Sequence, residues 1–175
     1  MTHEFGSWDA CLGGLGIFLD GEYAAATWEE VLAGGEFGHP LCPSVDAPGH
    51  PTNHINYMET FAGFCFIKRW GPRLRGHTIV AHTDSGVARA YIGKLWGVGA
   101  FIPLLKELHA LLLAYDVRFS LHKIAFKDNV LSDALSRQDW HARMRCRMAS
   151  RMKERVLVLV LILTTLACGI GRFNV

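Results

Sequence analysis

The first 60 residues of this 175-residue chain contain no lysine and no arginine. Nine acids stand there unopposed, whereas residues 61–175 set seven acids against all 18 basic residues, a net charge of +11. The overall net charge of only +2 hides that split, which points to a polyanionic partner for the second part, scattered solvated charge being the plainer alternative. The five cysteines (Cys11, Cys42, Cys65, Cys146, Cys168) include no C-x-x-C pair. An odd count without a framework fits reduced thiols inside a cell. No secretory signal opens the chain, so the expected location is intracellular, cytoplasmic or nuclear, and not secreted. No Lys-Ser/Thr pair follows Gly13, Gly14 and Gly16, which excludes a phosphate loop. His39, His50 and His54 lack a further ligand at zinc spacing, and Pro51 keeps the last two off a shared helix face. They read as loop histidines. Internal repeats and low-complexity segments are absent, and with 50% hydrophobic residues the chain is long enough for one domain with its own core.

What is present reads as alternating strands and helices. Residues 5–10, 14–20 and 22–28 predict three short strands joined by Leu12-Gly13-Gly14 and Asp20-Gly21-Glu22, Asp-Gly being a strong hairpin signal. Residues 33–53, rich in Gly and Pro, predict a long irregular connection. From Asn56 to Trp70 the pattern is helical, with Asn56 as cap, Glu59 three residues on as in a capping box, and Gly71-Pro72 as the stop. His77 to Thr83 predicts a buried strand, and Ser85 caps a helix to about Leu95, broken by Gly97-Val98-Gly99. Phe101, Leu104, Leu105, Leu108, Leu112 and Tyr115 keep helical spacing. Asp116-Val117 opens a last strand, and Asn129 caps a final helix. Trp8, Trp28, Trp70 and Trp96 read as core, whereas Trp140 beside a basic stretch is the candidate for contacting nucleic acid.

Four acidic residues sit in four different local motifs: Asp9 in Trp8-Asp9-Ala10-Cys11, Glu59 after His54-Ile55-Asn56, Asp84 at the end of a strand, and Asp133 in the final helix. Carboxylates so placed can converge on a pair of divalent cations, because hard cations take oxygen ligands and two-metal phosphoryl chemistry needs several of them. Each also has a plainer reading. Asp9 can be a turn residue, Glu59 a capping acid, Asp84 strand-to-helix punctuation, and Asp133 a favourable partner of a helix dipole.

In order and context these motifs resemble the ribonuclease H-like domain of retroelement reverse transcriptases, of the DIRS type and related elements. The likeness covers residues 7 to 140 or so. It rests on Asp9-Ala10-Cys11-Leu12-Gly13-Gly14-Leu15-Gly16, on His54 to Glu59, on Thr83-Asp84-Ser85, and on Asn129 to Arg137. Cys11, Ser85 and Ser132 depart from the family's usual Ser, Asn and Ala. The family's late histidine is replaced by Lys123 or Ala125, His122 being displaced. No Tyr-x-Asp-Asp polymerase sequence occurs, so the chain is at most the nuclease part of such an enzyme.

The resemblance implies an α/β fold, a ribonuclease H-like mixed five-stranded sheet flanked by helices, with the first strand beside the fourth. It implies a metal-dependent endonuclease that cleaves RNA in RNA–DNA hybrids, using Mg²⁺ or, in its place, Mn²⁺. Asp9, Glu59, Asp84 and Asp133 are then both catalytic residues and metal ligands, with Asp9 bridging.

Residues 1–142 are expected to form that domain and 143–175 a basic, then apolar, C-terminal tail. Arg143, Arg145 and Arg147 are the candidate nucleic-acid contacts. The apolar run 156–168 reaches roughly 22 Å as a helix, short of the ~30 Å hydrocarbon core. A basic flank before it leaves open a membrane anchor at 156–170, beside a helix packed on the domain or a tail with no selected role. The alternative functions are a nucleic-acid-binding module of the same fold with impaired catalysis, and a small tail-anchored membrane protein. Nothing in the pattern sets an oligomeric state.

Overall fold

Asp20 and Gly21 turn the chain between its second and third strands with positive φ at both positions, 44° and 96°, the conformation a two-residue hairpin loop demands. The structure, a computed structural model, describes residues 3–138. Its elements are β1 (His3–Cys11), β2 (Gly14–Leu19), β3 (Glu22–Thr27), α1 (Trp28–Leu32), α2 (Ile55–Trp70), β4 (Thr78–Thr83), α3 (Gly86–Lys94), α4 (Phe101–Tyr115), β5 (Arg118–Lys123) and α5 (Val130–Ser136). The strands form one mixed sheet in the order β3-β2-β1-β4-β5. The hairpin-linked pairs β1–β2 and β2–β3 are antiparallel, whereas β1–β4 and β4–β5 are parallel. Parallel neighbours need crossover connections, which α2 provides for β4, and α3 with α4 for β5. This is the mixed five-stranded sheet, with the first strand beside the fourth, that the resemblance implied.

α2 is the helix around which the core forms. Tyr57 to Ile67 are buried without interruption, so the helix shows no polar stripe. The sheet covers one side, and Trp8 packs there against Phe66 with ring centroids 5.7 Å apart. Gly63 lets Trp8 and Ile92 close on the helix axis, since a Cβ there would lie 2.6 Å from Ile92 Cδ1. The 33–53 segment covers another side. Tyr57 Oη donates to the Leu41 carbonyl at 2.8 Å, Lys68 Nζ donates to the Gly38 carbonyl at 2.8 Å, and Phe37 is buried.

Several local expectations need correction. α2 begins at Ile55, and its cap is His54, whose Nδ1 accepts from the Asn56 N–H at 3.1 Å. Asn56 is therefore inside the helix, and Glu59 takes no part in a capping box. The capping box belongs to α1, a short helix the strand reading missed, where Thr27 and Glu30 cap reciprocally. Asn129 occupies the first position before α5 but makes no capping bond. Its Nδ2 donates instead to the Trp8 carbonyl at 3.3 Å. Trp8, Trp28 and Trp70 are buried, but Trp96 is 63% exposed, because it follows the helix-ending Leu95 in a surface connection. Ser85 does cap α3, accepting from the Ala88 N–H at 3.1 Å.

The tail 143–175 lies outside the described residues, and with it Arg143, Arg145, Arg147, Trp140, the proposed anchor and the boundary at 142. Among the described residues no helix is long and apolar enough to cross a membrane.

Candidate metal centre

Strand alternation sorts β1 into two faces. Trp8 and Ala10 enter the core under α2, while Ser7, Asp9 and Cys11 meet α5. α5 lies unusually close to the sheet. A Cβ on Gly16 would stand 2.6 Å from the Ser132 carbonyl oxygen and 2.6 Å from the Ser136 nitrogen, so only glycine admits the helix backbone. Gly16 is the register partner of Asp9. The helix is then held by hydrogen bonds to β1. The Ser7 and Ser132 hydroxyls are 2.6 Å apart, the Cys11 thiol donates to the Ser136 carbonyl at 3.2 Å, and the Ser136 hydroxyl donates to Asp9 Oδ2 at 2.6 Å.

Because β1 and β4 are parallel with Ser7 opposite His82, their C-terminal ends carry Asp9 and Asp84 to the same edge of the sheet. Glu59, on the second turn of α2, reaches that edge from the helix side. One oxygen from each of Asp9, Glu59 and Asp84 lies within 4.8 Å of the others. Asp9 and Glu59 are 3% and 5% exposed, and Asp84 is half-buried. Burial of carboxylates this close together, with only the exposed Arg137 as a nearby opposite charge, makes this arrangement costly. Burial pushes Asp9 up to about 6 against the pull of the Ser136 hydroxyl, with Asp84 and Asp133 adding repulsion. Burial, then the charges of Asp9 and Asp84, push Glu59 up to about 9, while the Ala10 backbone amide acts the other way. Glu59 Oε2 is buried with no hydrogen-bond partner.

Three convergent carboxylates with an orphaned buried oxygen fit a hard divalent cation, which supplies both the missing charge and the missing partner. The donor set is all oxygen and holds no imidazole or thiolate, so it suits Mg²⁺ or Mn²⁺ better than zinc.

The fourth expected residue stands apart. Asp133 lines the same cleft of about 630 Å³, as do Cys11 and Ile55, but it is not in the three-carboxylate cluster. Its Oδ1 accepts from Arg137 Nε at 2.8 Å, one helical turn on. Sequence reasoning missed Ser136 and Arg137 as parts of the site, although both fall inside the motif that supplied Asp133. The signal was available: Asn129, Ser132 and Ser136 recur at spacings of three and four, marking them as the face of α5 that meets the sheet.

Two outcomes follow from this geometry. Gly16→Val is expected to lower stability by about 1–3 kcal/mol in a urea titration, because the neighbours in the way are helix backbone rather than movable side chains. An unchanged midpoint would mean that α5 does not dock on β2. The second concerns pH. Asp9 and Glu59 both bind protons more tightly folded than unfolded, so stability is fullest below their ordinary range near pH 4. It falls as pH rises, through about 6 and then about 9, and levels off above. The metal-free protein should therefore melt lower at pH 8 than at pH 5, and millimolar Mg²⁺ should restore most of the loss at pH 8 and little at pH 5. A melting temperature that rises with pH in the absence of metal would contradict this.

No protein-family model and no curated protein matches the chain. Among solved structures, a similar one is the crystal structure of RNase H1 from the halophilic archaeon Halobacterium salinarum NRC-1, with 15% identity and a TM-score of 0.47, the match covering 78% of this chain and 97% of that one.

Proposed function

We propose that this protein is a metal-dependent endonuclease of the ribonuclease H type, derived from a retroelement reverse transcriptase, that cleaves the RNA strand of RNA–DNA hybrids in the cytoplasm or nucleus. The observation that carries the reading is the cluster of Asp9, Glu59 and Asp84 around a buried, unpartnered Glu59 oxygen at the shared edge of β1 and β4. These three residues would hold Mg²⁺ or Mn²⁺, with Asp133 contributing from the α5 wall. Bound divalent cations supply a water activated for in-line attack on phosphorus and neutralise the departing 3′ oxygen. The chain itself fixes the ligands. The Ser136 hydroxyl holds Asp9 in one rotamer, and the packed face of α2 holds Glu59. The excess of basic residues after position 60, Arg143, Arg145 and Arg147 among them, would bind phosphates without reading sequence. The RNA 2′-hydroxyl is what such a site uses to distinguish RNA from DNA.

A second reading keeps the fold and the binding but not the cleavage. It is favoured by Lys123 and Ala125, which share a recess with Asp84 where the resembled family carries a histidine. A labelled RNA–DNA hybrid incubated with and without Mg²⁺ separates the two. Metal-dependent shortening of the RNA strand supports the nuclease; retention of hybrid with no shortening supports the binding module.

A further inference from the structure

We infer that Arg137 is a tethered cation that occupies Asp133 in place of a second metal ion, so that the cleft loads its two ions in sequence. The inference rests on the reading of Asp9, Glu59 and Asp84 as metal ligands. Its starting point is the division of the four carboxylates into a group of three and a fourth already paired. Asp133 is on α5, and α5 cannot swing toward the cluster. Asn129, Ser132 and Ser136 bind it to β1, and Gly16 brings its backbone onto β2. The movable part is the Arg137 side chain. α5 ends at Ser136, so Arg137 is past the last helical residue, and its side chain is 55% exposed against 21% for Asp133. An arginine side chain does not lose its proton in a protein, so only displacement removes this charge.

The first ion then enters among Asp9, Glu59 and Asp84 without disturbing α5. A second ion must take the Asp133 carboxylate from the guanidinium and also sit beside a positive charge until Arg137 turns outward. Both effects fall mainly on the second site, because Arg137 is bonded to Asp133, whereas the Asp9 carboxylate of the first site feels its charge only across the cleft. Arg137 is thus a positioning residue that sets the metal concentration at which the site becomes complete. Substrate phosphates, which accept paired hydrogen bonds from guanidinium groups, are the natural acceptor for Arg137 once it leaves Asp133.

Mn²⁺ binding to the full chain, followed by calorimetry and by the electron paramagnetic resonance of free Mn²⁺, tests this without reference to activity. The wild type should bind one ion tightly and a second at least about tenfold more weakly, as expected for a neighbouring unit charge. Arg137→Ala should tighten the second site by about tenfold and the first by clearly less, since Asp9 feels the Arg137 charge only across the cleft. Arg137→Lys, which keeps the charge but not the planar fork, should fall between them. Asp133→Asn should lose the second ion alone. If Arg137→Ala leaves both constants unchanged while the wild type binds Mn²⁺, the gate is wrong and the metal centre stands. If the wild type binds no Mn²⁺, the metal centre itself falls, and the gate with it.

Discussion

Asp84→Asn and Asp9→Asn are each expected to remove Mg²⁺-dependent cleavage of an RNA–DNA hybrid while leaving the fold intact. Even residues that only orient metal ligands typically contribute 10–100-fold, so loss of a ligand charge should exceed about a hundredfold in kcat/KM. The fold should survive because neither change opens a cavity, and Asn keeps an oxygen that can accept from the Ser136 hydroxyl at position 9. In the metal-free protein either substitution removes one of three mutually repelling carboxylates, so the melting temperature should hold or rise. Activity is thus expected to fall with no fall in melting temperature, which distinguishes ligand loss from unfolding. Cleavage at the wild-type rate in either variant would sink the assignment.

Most of the element order was legible because several boundaries carried a local signal. Asp20-Gly21 marks the hairpin, Gly71-Pro72 the end of α2, Ser85 the start of α3, and the leucines of α4 keep helical spacing. Convergence of Asp9 with Asp84 was legible only through the family resemblance, since strand pairing is a property of the whole sheet and not of either strand. The errors share a physical cause. The segment from Asn56 has a cap residue followed three positions later by Glu, which is what a capping box looks like from propensity alone. Tertiary structure decided otherwise: α2 is buried on every side, its first turn is fixed by His54, and the Glu points into the cleft. Gly16 does lie in the second predicted strand, but the need for glycine there comes from a helix more than 100 residues later in the chain and leaves no local signal. Trp96 was assigned to the core by residue type, and a surface connection overrode the type. Ser136 and Arg137 carry little signal as single residues; their roles exist only once α5 lies on β1.

Glu59→Gln is where stability and function should diverge most. In the metal-free protein burial and the neighbouring carboxylates hold Glu59 largely protonated at neutral pH, with its titration pushed up to about 9. The unfolded chain carries the same residue ionised, so folding at about pH 8 must take up a proton, a cost on the order of a few kcal/mol for a group this buried. Gln has the shape of the protonated acid and needs no proton. The substitution should therefore raise the metal-free melting temperature by roughly 5–10 °C at pH 8. It should change little at pH 5, where the folded and unfolded carboxyls differ far less in cost. Added Mg²⁺ should stabilise the wild type at pH 8 and the variant much less, because the amide cannot supply the charge that the ion requires. Cleavage of the hybrid should fall by more than about a hundredfold, in step with loss of a metal ligand. A residue that merely supported its helix would behave differently: Gln would leave cleavage, metal response and the pH dependence of melting all unchanged. Melting curves at the two pH values, with and without Mg²⁺, therefore decide the role of Glu59 even before a nuclease assay is run.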